Sequence, residues 1–311
     1  MLSRVADTIF WLGRYMERTS GMLQAIFTQY ISSQDDPEEN TWRPLLKIYG
    51  ELTDPEIEAI ENHSPKALDY MILNRSNQAS AFNTITFSRE NARGIQDHIT
   101  KEVWQCLNDY YHLIRADHLH YELFYGDPVA PIDMLIKHGL LFTGTVDNTM
   151  TRGEGFNFIH IGKLIERAIH TTDVTRIKMN EIALRRHEGF EGAKLRYLLY
   201  SLFGFEVYLK IYKGNFTKRH TLDLILYNTD FPHSLLYSLE RLFRYFTRLK
   251  NDSLPENFER LEYLIGKTMN HIKYSKVDES NSAELDLYLS QTRIDLFEIS
   301  STFGKHYFGN T

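Results

Sequence analysis

An all-α fold is predicted for this 311-residue chain by three observations. Apolar residues recur three and four positions apart over long stretches, which places them along one face of a helix. Alternating apolar and polar runs bounded by turn residues, the mark of strands, are few. The chain has only 8 prolines, and several stand where helices should start or stop: Pro37, Pro55, Pro65, Pro128, Pro232 and Pro255.

Val5, Ile9, Leu12, Met16 and Leu23 form the apolar stripe of a long first helix over about 3–31. The polar stretch 32–40, with its proline, reads as a loop. Shorter helices are expected at about 41–51, 56–62 and 66–74, then longer ones at about 79–97 and 99–121, the latter opening at Thr100. Gly126-Asp127-Pro128 is a turn, and a helix near 131–140 follows it. Gly153-Glu154-Gly155 introduces a second long helix through Arg186, which Gly189 stops. Helices at about 191–213, 218–227, 232–250, 256–274 and 281–303 complete the chain.

Composition narrows the function classes. An apolar content of 42% and a charged content of 24% are those of a soluble globular protein. The formal charge of −6, with Lys and Arg spread along the sequence, argues against nucleic acid or an anionic membrane as main partner. No apolar run approaches the roughly 20 residues of a membrane span. Arg14, Glu17 and Arg18 interrupt any signal-peptide pattern early. The single cysteine, Cys106, excludes an intramolecular disulfide, and a cytoplasmic location is expected.

The most specific feature is a repeated motif. Gly13-Arg14-x-x-Glu17-Arg18 reappears as Gly162-Lys163-x-x-Glu166-Arg167 on a similar helical stretch. A second match aligns Leu68-Asp69 through Asn74 and Ser80 with Leu222-Asp223 through Asn228 and Ser234, at an offset of 154 rather than 149. A tandem duplication is therefore expected, with 1–149 and 150–311 as two helical repeats related by a pseudo-two-fold axis. No Pro/Gly/Ser-rich linker separates them, so one domain with a shared core is expected.

Neighbouring helical residues point about 100° apart, so Glu17 and Arg18 should not pair with each other. The glycines let another helix approach closely. One arrangement sets Glu17 against Arg167 and Glu166 against Arg18, as buried pairs that fix register at a desolvation cost. Another places the arginines on the wall of a central cavity, where their planar forks bind carboxylate or phosphate. Ordinary solvated charge is the third reading. Ser88-Arg89-Glu90-Asn91-Ala92-Arg93 concentrates polar groups in about one turn; Arg89 and Arg93 share a face, from which Glu90 and Asn91 should turn away. Solvated arginines and an internal network both fit that segment.

Common catalytic patterns fail. Gly266-Lys267-Thr268 has Leu261 where a phosphate-binding loop needs glycine, and it reads as mid-helix. No His-Glu-x-x-His or Glu-x-x-His occurs. Asp109/His112, Asp230/His233 and the group Asp117, His118, His120 and Glu122 are weak alternatives, the last reading as a surface cluster. Cys106 on an apolar helix reads as a packed thiol. No catalytic residue, metal or cofactor is assigned.

The opening Met-Leu-Ser-Arg-Val-Ala-Asp-x-x-x-Trp-Leu-Gly-Arg-Tyr-x-Glu-Arg, the Ser-Arg-Glu-Asn-Ala-Arg-Gly-Ile run with Trp104 and Leu107-Asn108, and the second motif at 162–167 together resemble the bacterial Alpha-E family. The resemblance spans essentially the whole chain. It implies an all-helical protein encoded beside, or fused to, circularly permuted ATP-grasp proteins, often with transglutaminase-like peptidases. It carries Arg4, Arg14, Glu17, Arg18, Arg89, Glu90, Asn91, Arg93, Lys163, Glu166 and Arg167 as motif positions without roles. Lys163, where arginine is usual, and His233 depart from the pattern. The expected function is a non-catalytic partner of an ATP-grasp-type amide or peptide ligase. The alternative is an enzyme or small-molecule binding protein with a Glu/Arg-lined cavity, where Glu17, Glu166 or Glu90 could serve as general base.

Overall fold

The computed structural model describes residues 1–35, 41–184, 190–250 and 255–308. Pro37, Arg186 and Gly189, used above as helix boundaries, lie outside the described residues. Among the described residues there are fifteen α-helices and no strand. The chain divides into two compact units: Trp11–Phe156, and Met1–Phe10 with Asn157–Thr311.

The helices in the first half are α1 (Ser3–Asp35), α2 (Arg43–Tyr49), α3 (Asp54–Glu58), α4 (Ser64–Leu68), α5 (Ala81–Gly94), α6 (Lys101–Ile114), α7 (Asp117–Tyr125) and α8 (Val129–Thr149). The expected stripe of α1 is real: Ile9, Leu12, Met16 and Leu23 are all buried. The helix runs four residues past its expected end at 31, through Asp35. Within the Trp11–Phe156 unit the Thr19 and Thr84 hydroxyls meet at 2.7 Å, joining α1 to α5. A side chain at Gly139 of α8 would begin 2.4 Å from Ser20 Oγ, so this glycine permits the close approach of α8 to α1.

The single helix expected over 99–121 is two, α6 and α7, with Ala116 between them in extended backbone. The apolar phase explains the break. Val103, Leu107, Tyr110 and Ile114 are buried on α6, and continuing that stripe would bury 117, 118 and 121. Instead Leu119 and Leu123 are buried, and only a change of direction allows that. The helix expected near 131–140 extends from Val129 to Thr149.

The second half contains α9 (Glu154–Leu184), α10 (Phe190–Ser201), α11 (Phe205–Tyr212), α12 (Lys218–Leu222), α13 (Leu235–Thr247), α14 (Pro255–Tyr274) and α15 (Ser282–Phe303). Here too one expected helix, 191–213, is two. Phe203, at φ 55°, takes the left-handed conformation that normally favours glycine after a helix. Its neighbour Gly204 is needed elsewhere, because a Cβ there would stand 2.9 Å from the Phe231 ring.

Within this unit α9 and α15 are joined by ion pairs. Arg293 Nε donates to Asp173 at 2.7 Å, Arg176 grips both oxygens of Asp286 at 2.7 and 3.3 Å, and Asn180 adds a bond to Asp286 at 2.7 Å. The partner of Asp173 lies later on α15 than the partner of Arg176, so the two helices run antiparallel. Phe10, Phe246, Phe258, Phe303 and Phe308 build an aromatic core, with Phe246 and Phe258 stacked at 4.5 Å.

The segments matched at offset 154 adopt the same local structure. Each begins with five α residues, α4 or α12, and widens into a π-helical turn, Asp69–Leu73 or Asp223–Tyr227. Each ends at an asparagine, Asn74 or Asn228, whose side-chain oxygen accepts a backbone N–H two residues on, at 2.8 Å in both. Ser80 and Ser234 then cap α5 and α13. The widened turns are invisible to apolar periodicity, which reads them as ordinary helix.

Candidate functional site

In the Trp11–Phe156 unit, Arg14 and Glu17 are buried, at 4% and 7% exposure, while Arg18 is half-buried. The Arg14 guanidinium stacks over Trp11 at 4.6 Å, and Tyr15 meets Phe87 of α5. Arg14, Glu17 and Arg18 each have an interaction partner, as does Asn91. Arg4 is exposed. Replacing Thr84 by valine should cost about 1 kcal/mol in a thermal or urea melt, because the Thr19 hydroxyl loses its buried partner. An unchanged melt would show that this contact adds nothing.

The Arg89 segment corrects one expectation. Glu90 does not turn away from the arginines: it bonds Arg89 Nη1 at 2.8 Å and Arg93 Nη2 at 2.9 Å. The Cβ directions do diverge, but Arg89 and Glu90 are long enough to curl around the helix and meet. One carboxylate thus relieves the repulsion between two same-face arginines. Arg89 is further fixed by Nε donating to Asn108 Oδ1 at 3.0 Å and by the faces of Tyr111 and Trp104.

In the other unit, the second motif copy faces the turn that precedes α13. Glu166 is buried at 4% exposure, and Lys163 and Arg167 are half-buried. Arg167 Nη1 donates to the Pro232 carbonyl at 3.3 Å, and Thr171 Oγ1 donates to the His233 carbonyl at 3.0 Å. The motif and the Phe231-Pro232-His233-Ser234 segment, distant in sequence, are therefore one cluster. His233 packs on Phe203 and Phe231, and its Nδ1 is screened from solvent without a hydrogen-bond partner. Burial first, then the charges of Arg167, His170 and Lys163, holds its pKa well below the ordinary value of 6.5. Seven residues along α9, burial pushes the Asp173 carboxyl up despite Arg293, and Glu166 adds to that rise.

Sequence reasoning missed the partnership of α9 with α15, although Asp173, Arg176 and Asn180 lie on a helical stripe that could have signalled it. The weak catalytic alternatives do not come together. Gly266-Lys267-Thr268 is mid-helix in α14, with Thr268 Oγ1 bonded to the Leu264 carbonyl. Asp109, His112, Asp117, His118 and Glu122 are exposed on α6 and α7. Among the described residues no three His, Cys, Asp or Glu side chains gather in a way that could hold a metal. The Cys106 thiol is buried, and burial raises its pKa. No described helix is long and apolar enough to cross a membrane.

Comparison with known proteins adds the decisive fact. The Alpha-E profile, described as a predicted alpha-helical domain with a conserved ER motif, matches residues 1–308. The chain belongs to the Alpha-E family. The two Glu-Arg steps at 17–18 and 166–167 are of the type for which the family is described. The chain is similar to an uncharacterized protein of Mycobacterium bovis, 23% identical over 266 residues, which is 77% of this chain and 29% of that protein. Uncharacterized proteins of two Mycobacterium tuberculosis strains match over the same shares, at 23% and 22% identity. The Alpha-E chain thus spans less than a third of the length of the curated relatives it matches. No solved structure matches.

Proposed function

We propose that this Alpha-E protein is a non-catalytic helical partner of an ATP-grasp-type amide or peptide ligase. The system would also include a transglutaminase-like peptidase. The observation that carries this reading is the length of the relatives: the similar region fills 29% of each, so it operates there as one segment of a larger protein. The burial of Arg14, Glu17 and Glu166 supports it as well, since buried and partnered charges serve the interior of a fold better than turnover. The duplication read from the sequence belongs to the same proposal, supported by the matching α-to-π segments at 64–74 and 218–228.

A pull-down with the ligase encoded beside this chain should recover a stoichiometric complex. Recovery of nothing, with the isolated chain converting a substrate, would sink the proposal.

A second reading is a small-molecule binding protein that recognises carboxylate or phosphate. The positive charges of Arg167, His170 and Lys163 acting at His233, with Arg167 bonded to the neighbouring Pro232 carbonyl, favour it. Thermal shifts with nucleotides, amino acids and short peptides test it, and silence across all three classes would count against it.

A further inference from the structure

Charged residues that are scattered in sequence gather in space on α5 and α6. The two helices run antiparallel, with Phe82 near Arg115 and Arg89 bonded to Asn108. On α5 a stripe carries Phe82, Arg89 and Arg93; on α6 the facing stripe carries Trp104, Asn108, Tyr111 and Arg115. Guanidinium groups and rings alternate along the seam. Arg75 lies over Phe82 at 4.7 Å, and Arg115 lies 5.7 Å from Phe82 and 5.1 Å from Tyr111. Arg89 lies 4.5 Å from Tyr111 and 5.4 Å from Trp104.

Glu90 pairs with Arg89 and Arg93. Arg75 and Arg115 are exposed and, among the described residues, pair with no carboxylate. A positive face of this kind, on a chain whose formal charge is −6, is held by its own architecture. Contact with the rings restricts where each guanidinium can go, so less side-chain freedom is lost when its N–H groups bind.

We propose that this seam is the docking surface for an acidic segment of a partner protein, whose carboxylates take the free N–H groups of Arg75 and Arg115. The fork geometry suits carboxylates bidentately. Nucleic acid fits less well, because single strands need open rings for base stacking, and Phe82, Tyr111 and Trp104 already carry guanidinium groups. From Phe82 to Arg93 the seam is about 16 Å long, which about five residues of extended chain would cover. The inference rests on the partner reading above for the identity of that protein, but not for the existence of the surface.

The test is the anisotropy of a fluorescein-labelled hexaglutamate peptide added to the full chain at about 50 mM salt. The wild type should bind, and the double variant Arg75→Gln/Arg115→Gln should bind at least about tenfold more weakly. Arg115→Lys, which keeps the charge and loses the fork, should fall between them. Lys137→Gln on α8, away from the seam, should change nothing, and unchanged circular-dichroism melts would show that all variants fold. No binding by wild type, equal binding by the double variant, or tighter binding of hexathymidylate with the same loss would each overturn the proposal. A failed ligase pull-down beside positive peptide binding would overturn the ligase and leave the surface standing.

Discussion

Glu166→Ala is expected to lower the unfolding free energy by about 3 kcal/mol, the scale seen when one member of a buried charge interaction is removed. Glu166 is 4% exposed in the middle of the 31-residue helix α9 and is not without a partner. Truncation would leave a cavity and remove the interaction of a buried carboxylate, and both changes destabilise. Urea denaturation should show a lower midpoint at unchanged slope, meaning a loss of stability without a change in the surface exposed. Glu17→Ala should behave alike in the other unit, where Glu17 is 7% exposed. Arg4→Ala, at an exposed position, should stay within about 0.5 kcal/mol of wild type. If Glu166→Ala instead melted like wild type while thermal-shift ligands lost their effect, the Glu-Arg step would be a ligand site.

Stability should also fall on acidification through His233. Its folded-state pKa is depressed, so below the unfolded value of about 6.5 the unfolded chain binds a proton that the native chain resists. The loss begins as pH drops through 6.5 and continues down to the lower folded pKa, at up to about 1.4 kcal/mol per pH unit. Above 6.5 the histidine contributes no slope. The cause is local: protonation would place a charge in a desolvated position beside Arg167, His170 and Lys163 of α9. Urea midpoints measured from pH 8 to 5 should decline in wild type and decline less in His233→Gln. Identical slopes in the two proteins would remove His233 from the account.

Much of the fold was legible because apolar spacing encodes helices directly. The stripe from Ile9 to Leu23 and the proline at the start of α14 appear where spacing and proline chemistry place them, whereas α5 and α13 begin after Ser80 and Ser234, two and three residues later than the expected starts at 79 and 232. Breaks made without proline were harder to read. Ala116 carries no mark of a helix end, although the shift of the apolar phase to Leu119 and Leu123 does. Phe203 takes a conformation that sequence reasoning would give to Gly204, because the packing demand of Phe231 is a tertiary fact. Of the site, the motif positions were legible but their neighbours were not. Arg167 and Thr171 reach the Pro232–His233 backbone across more than sixty residues of chain, and no local pattern encodes such a contact. Glu90 was misplaced because the direction of a Cβ says little about where a long flexible side chain ends.

The most direct test of the partner account compares three turnover assays: the ligase alone, this Alpha-E chain alone, and the two mixed. The account predicts no product from the chain alone and a change in ATP-dependent turnover on mixing that saturates at equal stoichiometry. Product formation by the chain alone, with ligase turnover unaffected by its presence, would contradict it.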